Sequence, residues 1–241
     1  MEIRRFADTT ALIPGVGKAI AAALNDGITE NGCAHLVLTG GTIGIAVLEG
    51  IPVETVDWSR VHLWWGDERF VEAGSLDRNC LQAQPVLLDR ISIPVENVHR
   101  VPATDSGLSL DQARVAYATE LQSLAVDDFV PEFDVTLLGM GPDAHIASLF
   151  PGRELDTLDH ASTCAVMNSP KPPAERVSLT RAAINSSKRV WLLVADANKA
   201  ECLNGVLNAQ DDAMLPASCV HGTEETVLWT DDASLTVYDR A

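Results

Sequence analysis

The chain has 241 residues, of which 46% are hydrophobic, so it can bury a sizeable core as one domain spanning residues 1–241. Its 34 acidic residues against 17 Lys and Arg give a formal net charge of -17. This balance argues against nucleic acid or an anionic membrane as a partner, since both are bound by clustered cations. The N-terminus lacks the apolar segment of a signal peptide and no apolar stretch could cross a bilayer, so we expect a cytoplasmic protein.

Along the chain, apolar runs of strand length alternate with segments of helix length. The first helix is predicted over residues 11–25, with Pro14 in its first turn and Gly27 near its end. The elements predicted after it are, in chain order, strands over 35–38 and 61–65, helices over 79–88 and 109–125, a strand at Val135, strands over 161–167, 176–179 and 189–194, a helix over 198–208 and a strand over 227–230. Strands separated by helices predict an α/β, Rossmann-like fold, with a mainly parallel sheet and helices on both faces.

The segment from Phe133 to His145 is the most informative part of the chain. An apolar run ends at Gly139-x-Gly141, and the turn then presents Asp143 and His145 two residues apart. In open α/β sheets, ligands bind where the strands end, so both side chains are expected at the mouth of a pocket. The alternative is an ordinary core strand in which His145 is only a hydrogen-bonded residue.

Three other loops carry candidate binding groups. The turn from Gly40 to Gly44 follows a strand and opens a helix, so its amides and the Thr42 hydroxyl could hold a phosphate, although it could also be a simple tight turn. The segment 66–69 places two carboxylates and a guanidinium after a strand, or forms a structural salt-bridge cluster. Lys171 and Arg176 lie on a proline-stiffened loop suited to an anion, or on a solvated surface loop.

Several other kinds of site are disfavoured. Gly139-x-Gly141-x-x-Ala144 matches a dinucleotide fingerprint, but Pro151-Gly152 interrupts the chain soon afterwards and no acidic strand end follows about twenty residues on. A nucleophilic serine motif G-x-S-x-G is absent from the sequence. Asp143 and His145 have no third metal ligand spaced with them. Five scattered cysteines without a C-x-x-C pair argue against a disulfide framework and a thiolate zinc site.

Taken together, these motifs resemble the 6-phosphogluconolactonase family in order and spacing along nearly the whole chain. They are the Gly-Gly turn at Gly40, WGDER at 65–69, LGMGPDAHIASLFP at 138–151 and SPKPPxxR at 169–176, with NVH at 97–99 and LWTDDA at 228–233. The resemblance implies the fold shared with glucosamine-6-phosphate deaminases. It also implies hydrolysis of 6-phosphogluconolactone in the oxidative pentose phosphate pathway, with no cofactor or metal.

The sequence departs from the family pattern in two loops. The family commonly has Gly-Gly-Ser-Thr-Pro where this chain has 40–44 as Gly-Gly-Thr-Ile-Gly. It usually has Gly-His-Thr where this chain has Ala144, His145 and Ile146. If position 144 needs a positive φ, alanine costs roughly 1 kcal/mol there, which would shift the turn without abolishing it.

The expected mechanism divides the site into a catalytic end and a phosphate end. His145 is the candidate general base, oriented by Asp143 or Asp67, and Arg69 is the candidate oxyanion stabiliser. The candidate phosphate ligands are Gly40, Gly41, Thr42, Lys171 and Arg176.

Two other functions remain open at this stage. An aminosugar-phosphate deaminase would use the same turn but carries a further glutamate that is not found after His145. A non-enzymatic sugar-phosphate sensor would need an output domain. The oligomeric state is left open, with a monomer slightly favoured.

Overall fold

The computed structural model describes residues 1–125, 129–153, 161–209 and 212–240. The strands are β1 (Glu2–Phe6), β2 (Ala34–Leu38), β3 (Val61–Trp65), β4 (Asp67–Arg69), β5 (Val135–Gly139), β6 (Thr163–Val166), β7 (Arg176–Leu179), β8 (Arg189–Val194) and β9 (Glu225–Asp231). The helices are α1 (Thr9–Asn31), α2 (Gly41–Glu49), α3 (Asn79–Val86), α4 (Leu110–Ser123), α5 (Arg181–Asn185) and α6 (Ala200–Asn208). Within these ranges, no helix is long and apolar enough to cross a membrane.

Six parallel strands form the central sheet in the order β1-β9-β8-β5-β2-β3. Successive side chains of one strand enter different cores: Leu36 belongs to the core that includes residues of α1, α2 and α3, whereas Val37 belongs to the core that includes residues of α4 and α6. Both faces of the sheet are therefore covered, which explains why its inner strands are mostly apolar. The predicted α/β fold with a mainly parallel, helix-covered sheet is confirmed.

A second, smaller sheet lies outside the parallel one. β4 and β6 flank β7, and both pairings are antiparallel. The strands predicted over 161–167 and 176–179 exist, but they belong to this small sheet, which the sequence pattern does not indicate. The reason is that β4 consists of Asp67, Glu68 and Arg69 and has no apolar residue to identify it as a strand.

The first helix is longer than predicted, and the positions predicted for Pro14 and Gly27 are wrong. The carboxylate of Asp8 accepts a backbone N–H of the first turn at 2.9 Å, so α1 begins early and Pro14 lies in its second turn. The helix ends at Gly32, whose φ is +81°. Gly27 lies inside the helix, and the position excludes a side chain because a Cβ there would lie 2.5 Å from the carboxylate of Asp134.

The sheet topology creates one crevice. β5 lies between β2 and β8 in the sheet, and the chain moves outward in opposite directions from this point. The loops that follow these three strands open at the same edge of the sheet, as expected at a topological switch point. The Gly40 turn, the His145 turn and the loop after Val194 therefore meet there.

Candidate active site

A cleft of about 540 Å³ opens at this edge of the sheet. Its volume is in the range typical of small-molecule sites. Eight of the nine side chains and glycines predicted for the site line it: Gly40, Gly41, Thr42, Asp67, Arg69, His145, Lys171 and Arg176. The ninth, Asp143, contacts His145. Segments as far apart as residues 40 and 176 therefore converge on one cavity.

In the turn after β2, both Gly40 and Gly41 occupy positions that disfavour a side chain. Gly40 lies against Asn79, and a Cβ on Gly40 would lie 2.0 Å from the side-chain oxygen of Asn79. Gly41 has a φ of +80°, a conformation that side chains disfavour. The turn leads directly into α2, so its N–H groups and the exposed Thr42 face the cleft at a helix N-terminus.

His145 is held in a fixed orientation by Asp143. The Nδ1 atom of His145 lies 2.5 Å from a carboxylate oxygen of Asp143, and the ring packs on Phe150 with centroids 4.6 Å apart. Since a carboxylate accepts, the hydrogen bond assigns the ring proton to Nδ1 and leaves a lone pair on Nε2. Asp67 makes no hydrogen bond to His145 within the described residues, so the carboxylate that orients the imidazole is that of Asp143.

The backbone around His145 is strained. Ala144 has a φ of +62° and Ala147 a φ of +46°, although neither is glycine. Position 144 therefore does have a positive φ, and an alanine in this conformation costs roughly 1 kcal/mol relative to glycine. Such strain persists only where surrounding contacts determine the conformation, and it is often found at functional sites.

The pKa of His145 lies below its usual value. Burial is the largest cause, since the side chain is only 13% exposed, and the ammonium of Lys171 lowers the pKa further. The hydrogen bond and charge of Asp143, together with the charge of Asp67, raise it but do not outweigh the burial. His145 is therefore neutral near pH 7, as a base must be before it takes a proton.

This pKa sets the expected pH dependence of activity. Only the neutral imidazole accepts a proton, so kcat/KM should be flat near neutrality and fall as the pH decreases through a value below 6.5. In Asp143→Asn, loss of the carboxylate should move the acid limb to still lower pH. The plateau should fall by roughly 100-fold because the tautomer is no longer fixed. A pH profile after subtraction of uncatalysed hydrolysis measures both effects, and an acid limb above 6.5 would contradict the assignment.

Gly141 provides a second test of the orientation of His145. A Cβ at position 141 would lie 2.0 Å from Nδ1 of His145 and 2.5 Å from the carboxylate of Asp143. We therefore expect Gly141→Ala to displace the imidazole and to lower kcat by roughly 100-fold. Gly74→Ala is the matched control, because a Cβ there meets no atom within 4 Å. Thermal unfolding would verify that both variants are folded. Equal kcat values for the two would then show that the position of the His145 ring does not affect turnover.

Asp67 belongs to a separate buried network. One of its carboxylate oxygens accepts from the hydroxyl of Ser148 at 2.6 Å, and the other accepts from the amide of Asn79 at 3.2 Å. The guanidinium of Arg176 lies 3.7 Å away, and both side chains of this ion pair are buried. Because Ser148 follows His145 in the same turn, the network connects the catalytic turn to β4 and β7.

Arg176 also fixes the loop that carries Lys171. Its guanidinium donates to the backbone carbonyl groups of Lys171 at 3.0 Å, Pro172 at 3.3 Å and Pro173 at 3.2 Å. Lys171 therefore reaches the cleft from a loop whose backbone is held by the Arg176 guanidinium. Burial lowers the pKa of Arg176, with Asp67 opposing this shift, but a guanidinium remains charged in proteins.

The cleft contains further residues that sequence analysis did not single out. They include Thr9, Asn79, Asp196, Asn198 and Lys199. The most important is Lys199, which lies immediately before α6, where a cation is unfavourable to the helix dipole. Burial and the neighbouring Lys171 lower the pKa of Lys199. A lysine at the wrong end of a predicted helix was the one local signal that could have identified it.

The cleft is thus divided into two chemical regions. His145 and Asp143 form a base with its orienting carboxylate, and Arg69 lies nearby with a buried Nε that has no hydrogen-bond partner among the described residues. Lys171, Lys199 and the N-terminus of α2 form a region that suits an anion. Within the part of the chain that the structure describes, no cluster of His, Cys, Asp or Glu could hold a metal ion.

Comparison with known proteins identifies close relatives. The sequence pattern described as glucosamine-6-phosphate isomerases/6-phosphogluconolactonase matches residues 7–229. The chain is 40% identical over 229 residues to a 6-phosphogluconolactonase of Mycobacterium leprae, covering 93% of this chain and 92% of that protein. It is 40% identical over 225 residues to one of Streptomyces coelicolor, covering 90% and 86%. The crystal structure of 6-phosphogluconolactonase from Thermotoga maritima superposes with a TM-score of 0.85 at 30% identity, covering 96% of this chain and 99% of that one.

Proposed function

The chain belongs to the glucosamine-6-phosphate isomerase/6-phosphogluconolactonase family, and we propose that it hydrolyses 6-phospho-D-glucono-1,5-lactone to 6-phosphogluconate. This is the second step of the oxidative pentose phosphate pathway. The observation that carries the proposal is the placement of a neutral, oriented imidazole and a group of cations in one cleft. We place the enzyme in the cytoplasm, in keeping with the free thiols of Cys33, Cys80, Cys202 and Cys219.

The phosphate of the substrate binds in the cationic region of the cleft. The N–H groups of Gly41 and Thr42 and the ammonium groups of Lys171 and Lys199 supply donors and positive charge there. Arg176 contributes its charge and holds the Lys171 loop in place. Because the phosphate is remote from the lactone carbonyl, its binding energy positions the carbonyl without taking part in the bond changes.

Hydrolysis then proceeds by general-base catalysis. Nε2 of His145 takes a proton from water as the water oxygen attacks the lactone carbonyl, and Asp143 stabilises the resulting imidazolium. Arg69 and the amides of the glycine turns stabilise the oxyanion of the tetrahedral intermediate. When the intermediate collapses, the bond to the ring oxygen breaks and His145 returns its proton to that oxygen. The product is the open-chain acid, which ionises near neutral pH and releases one proton.

The deaminase alternative can be separated from this proposal by one experiment. The ring of His145 is covered by Phe150, and within the described residues Asp143 is the carboxylate that bonds to it, so no second carboxylate is hydrogen-bonded to this imidazole. Proton release from freshly generated 6-phosphogluconolactone in a pH-stat should exceed the uncatalysed rate, and glucosamine 6-phosphate should release no ammonia. Ammonia release without lactone hydrolysis would overturn the proposal.

A further inference from the structure

A buried carboxylate near the C-terminus takes no part in the reaction as described. Asp231 ends β9 within the 228–233 segment and is only 4% exposed. It accepts hydrogen bonds from the hydroxyl of Thr9 at 3.2 Å, the backbone N–H of Asp196 at 3.2 Å, and the backbone N–H and hydroxyl of Ser234 at 3.0 and 2.6 Å. Within the described residues, no Lys or Arg forms an ion pair with it. The charge is thus stabilised by donors that it holds in place.

The most unusual of these donors is Asp196. Its φ of +93° and ψ of +138° are disfavoured for any residue with a side chain. Three contacts fix this conformation: its N–H donates to Asp231, its C=O lies 3.2 Å from the Ser234 hydroxyl, whose one proton it shares with Asp231, and its carboxylate accepts the N–H of Asn198 at 3.2 Å. Strained backbone persists only when neighbours determine it to this degree. Asp231 and Ser234 together are the clamp that does so.

The clamped turn presents charge to the cleft. Asp196 is followed by a single helical turn, Ala197–Lys199, and both Asn198 and Lys199 line the cavity. Thr9, another donor to Asp231, lines the same cavity. Lys199 is held there although burial and the charge of Lys171 both lower its pKa and so disfavour its protonated form. The position of this ammonium in the cleft is therefore set by the turn that begins at Asp196.

We propose that Asp231 is a positioning residue for substrate binding: through Asp196 it fixes the turn that directs Lys199 toward the phosphate of the substrate. The inference rests on the proposed function, in which Lys199 contacts that phosphate. Asp231 itself touches neither substrate nor the reacting atoms. Its effect should therefore appear in discrimination between phosphorylated and unphosphorylated lactones.

The first test compares Asp231→Asn with Asp232→Asn. Asp232 is the adjacent residue, is exposed and pairs with Arg5, so it is a matched control. The side-chain NH₂ introduced at position 231 would face N–H and O–H groups that now donate to the carboxylate. These hydrogen bonds would be lost, and the turn that begins at Asp196 would loosen. We expect KM for 6-phosphogluconolactone to rise about tenfold in Asp231→Asn, and the ratio of kcat/KM for phosphorylated over unphosphorylated lactone to fall by the same factor. Asp232→Asn should leave both quantities at their wild-type values.

A double-mutant cycle with Lys199→Ala separates positioning from general damage. If Asp231 acts through Lys199, Asp231→Asn should have no further effect on the ratio when Lys199 is already alanine. A ratio unchanged in the single variant, or lowered equally in both backgrounds, would overturn the proposal. Should Asp231→Asn fail to fold, Ser234→Ala removes one arm of the clamp and is expected to lower the ratio in the same, Lys199-dependent way.

A binding measurement tests the positioning role of Asp231 separately from the proposed lactone hydrolysis. Calorimetric titration of folded protein with 6-phosphogluconate needs no turnover and should show weaker binding in Asp231→Asn than in Asp232→Asn. If the wild type binds 6-phosphogluconate but does not hydrolyse the lactone, the proposed activity fails while the positioning inference is still decided by the binding comparison. If the wild type turns over the lactone and the Asp231 variant binds as tightly as its control, only the positioning inference fails.

Discussion

Replacement of His145 with alanine should lower kcat by about three orders of magnitude and change KM by less than about threefold. The reason is that the imidazole provides the only proton acceptor assigned to the attacking water, while the groups assigned to the phosphate lie on other loops. His145→Asn is the companion variant, because its amide can still donate to Asp143 but cannot act as a base. Steady-state kinetics with 6-phosphogluconolactone measure both parameters.

The control for this prediction is His221→Ala, which removes an exposed histidine that does not line the cleft. It should match the wild type in both kcat and KM. Added imidazole should restore part of the activity of His145→Ala, because the substitution leaves space beside Asp143. Turnover of His145→Ala within a few-fold of the wild type would remove His145 as the general base.

Arg176→Ala should raise KM for the phosphorylated lactone by roughly 100-fold and also destabilise the fold. Substrate binding suffers because the variant loses a cation and three hydrogen bonds that anchor the Lys171 loop. Stability suffers because Asp67 remains as a buried carboxylate without its cation, and breaking a buried pair costs about 3 to 5 kcal/mol. Urea unfolding and steady-state kinetics check the two effects separately.

Two further variants make this result interpretable. Arg60→Ala removes an exposed arginine that pairs with the exposed Asp57, and it should leave both stability and KM near their wild-type values. Lys171→Ala should raise KM about tenfold with little loss of stability, because its ammonium forms no buried ion pair within the described residues. If Arg176→Ala bound the phosphorylated substrate as well as the wild type does, the anion end of the cleft would have to be reassigned.

The sequence predicts the central sheet well because its strands are buried on both faces. Four of its strands, β2, β3, β5 and β8, are mostly apolar segments that end at turns or polar loops. β1 was missed because it is an edge strand with the polar sequence EIRRF, paired with β9. β4 was missed because its burial depends on ion pairs and hydrogen bonds from distant segments, which no local periodicity encodes.

In the candidate site, too, some residues could be predicted from local sequence and others depend on tertiary contacts. The glycine turns and the Asp143-His145 pair stand out locally, since glycine and charged residues directly follow apolar strands. Asp67 was given two possible roles because spacing along the chain does not show that Ser148, 81 residues away, holds its carboxylate. Lys199 and Asp196 were not identified because the contacts that hold their turn at the cleft come from Asp231 and Ser234, more than 30 residues away. Tertiary contacts decide such positions.

The central claim is that one cleft binds the phosphate and hydrolyses the lactone. The most direct measurement is the ratio of kcat/KM for 6-phosphogluconolactone to that for unphosphorylated gluconolactone, determined in a pH-stat with the wild-type protein. We expect a preference of at least about 100-fold for the phosphorylated lactone, since remote binding energy is used at the reacting carbonyl. Equal values for the two lactones, or no hydrolysis of either, would contradict the account.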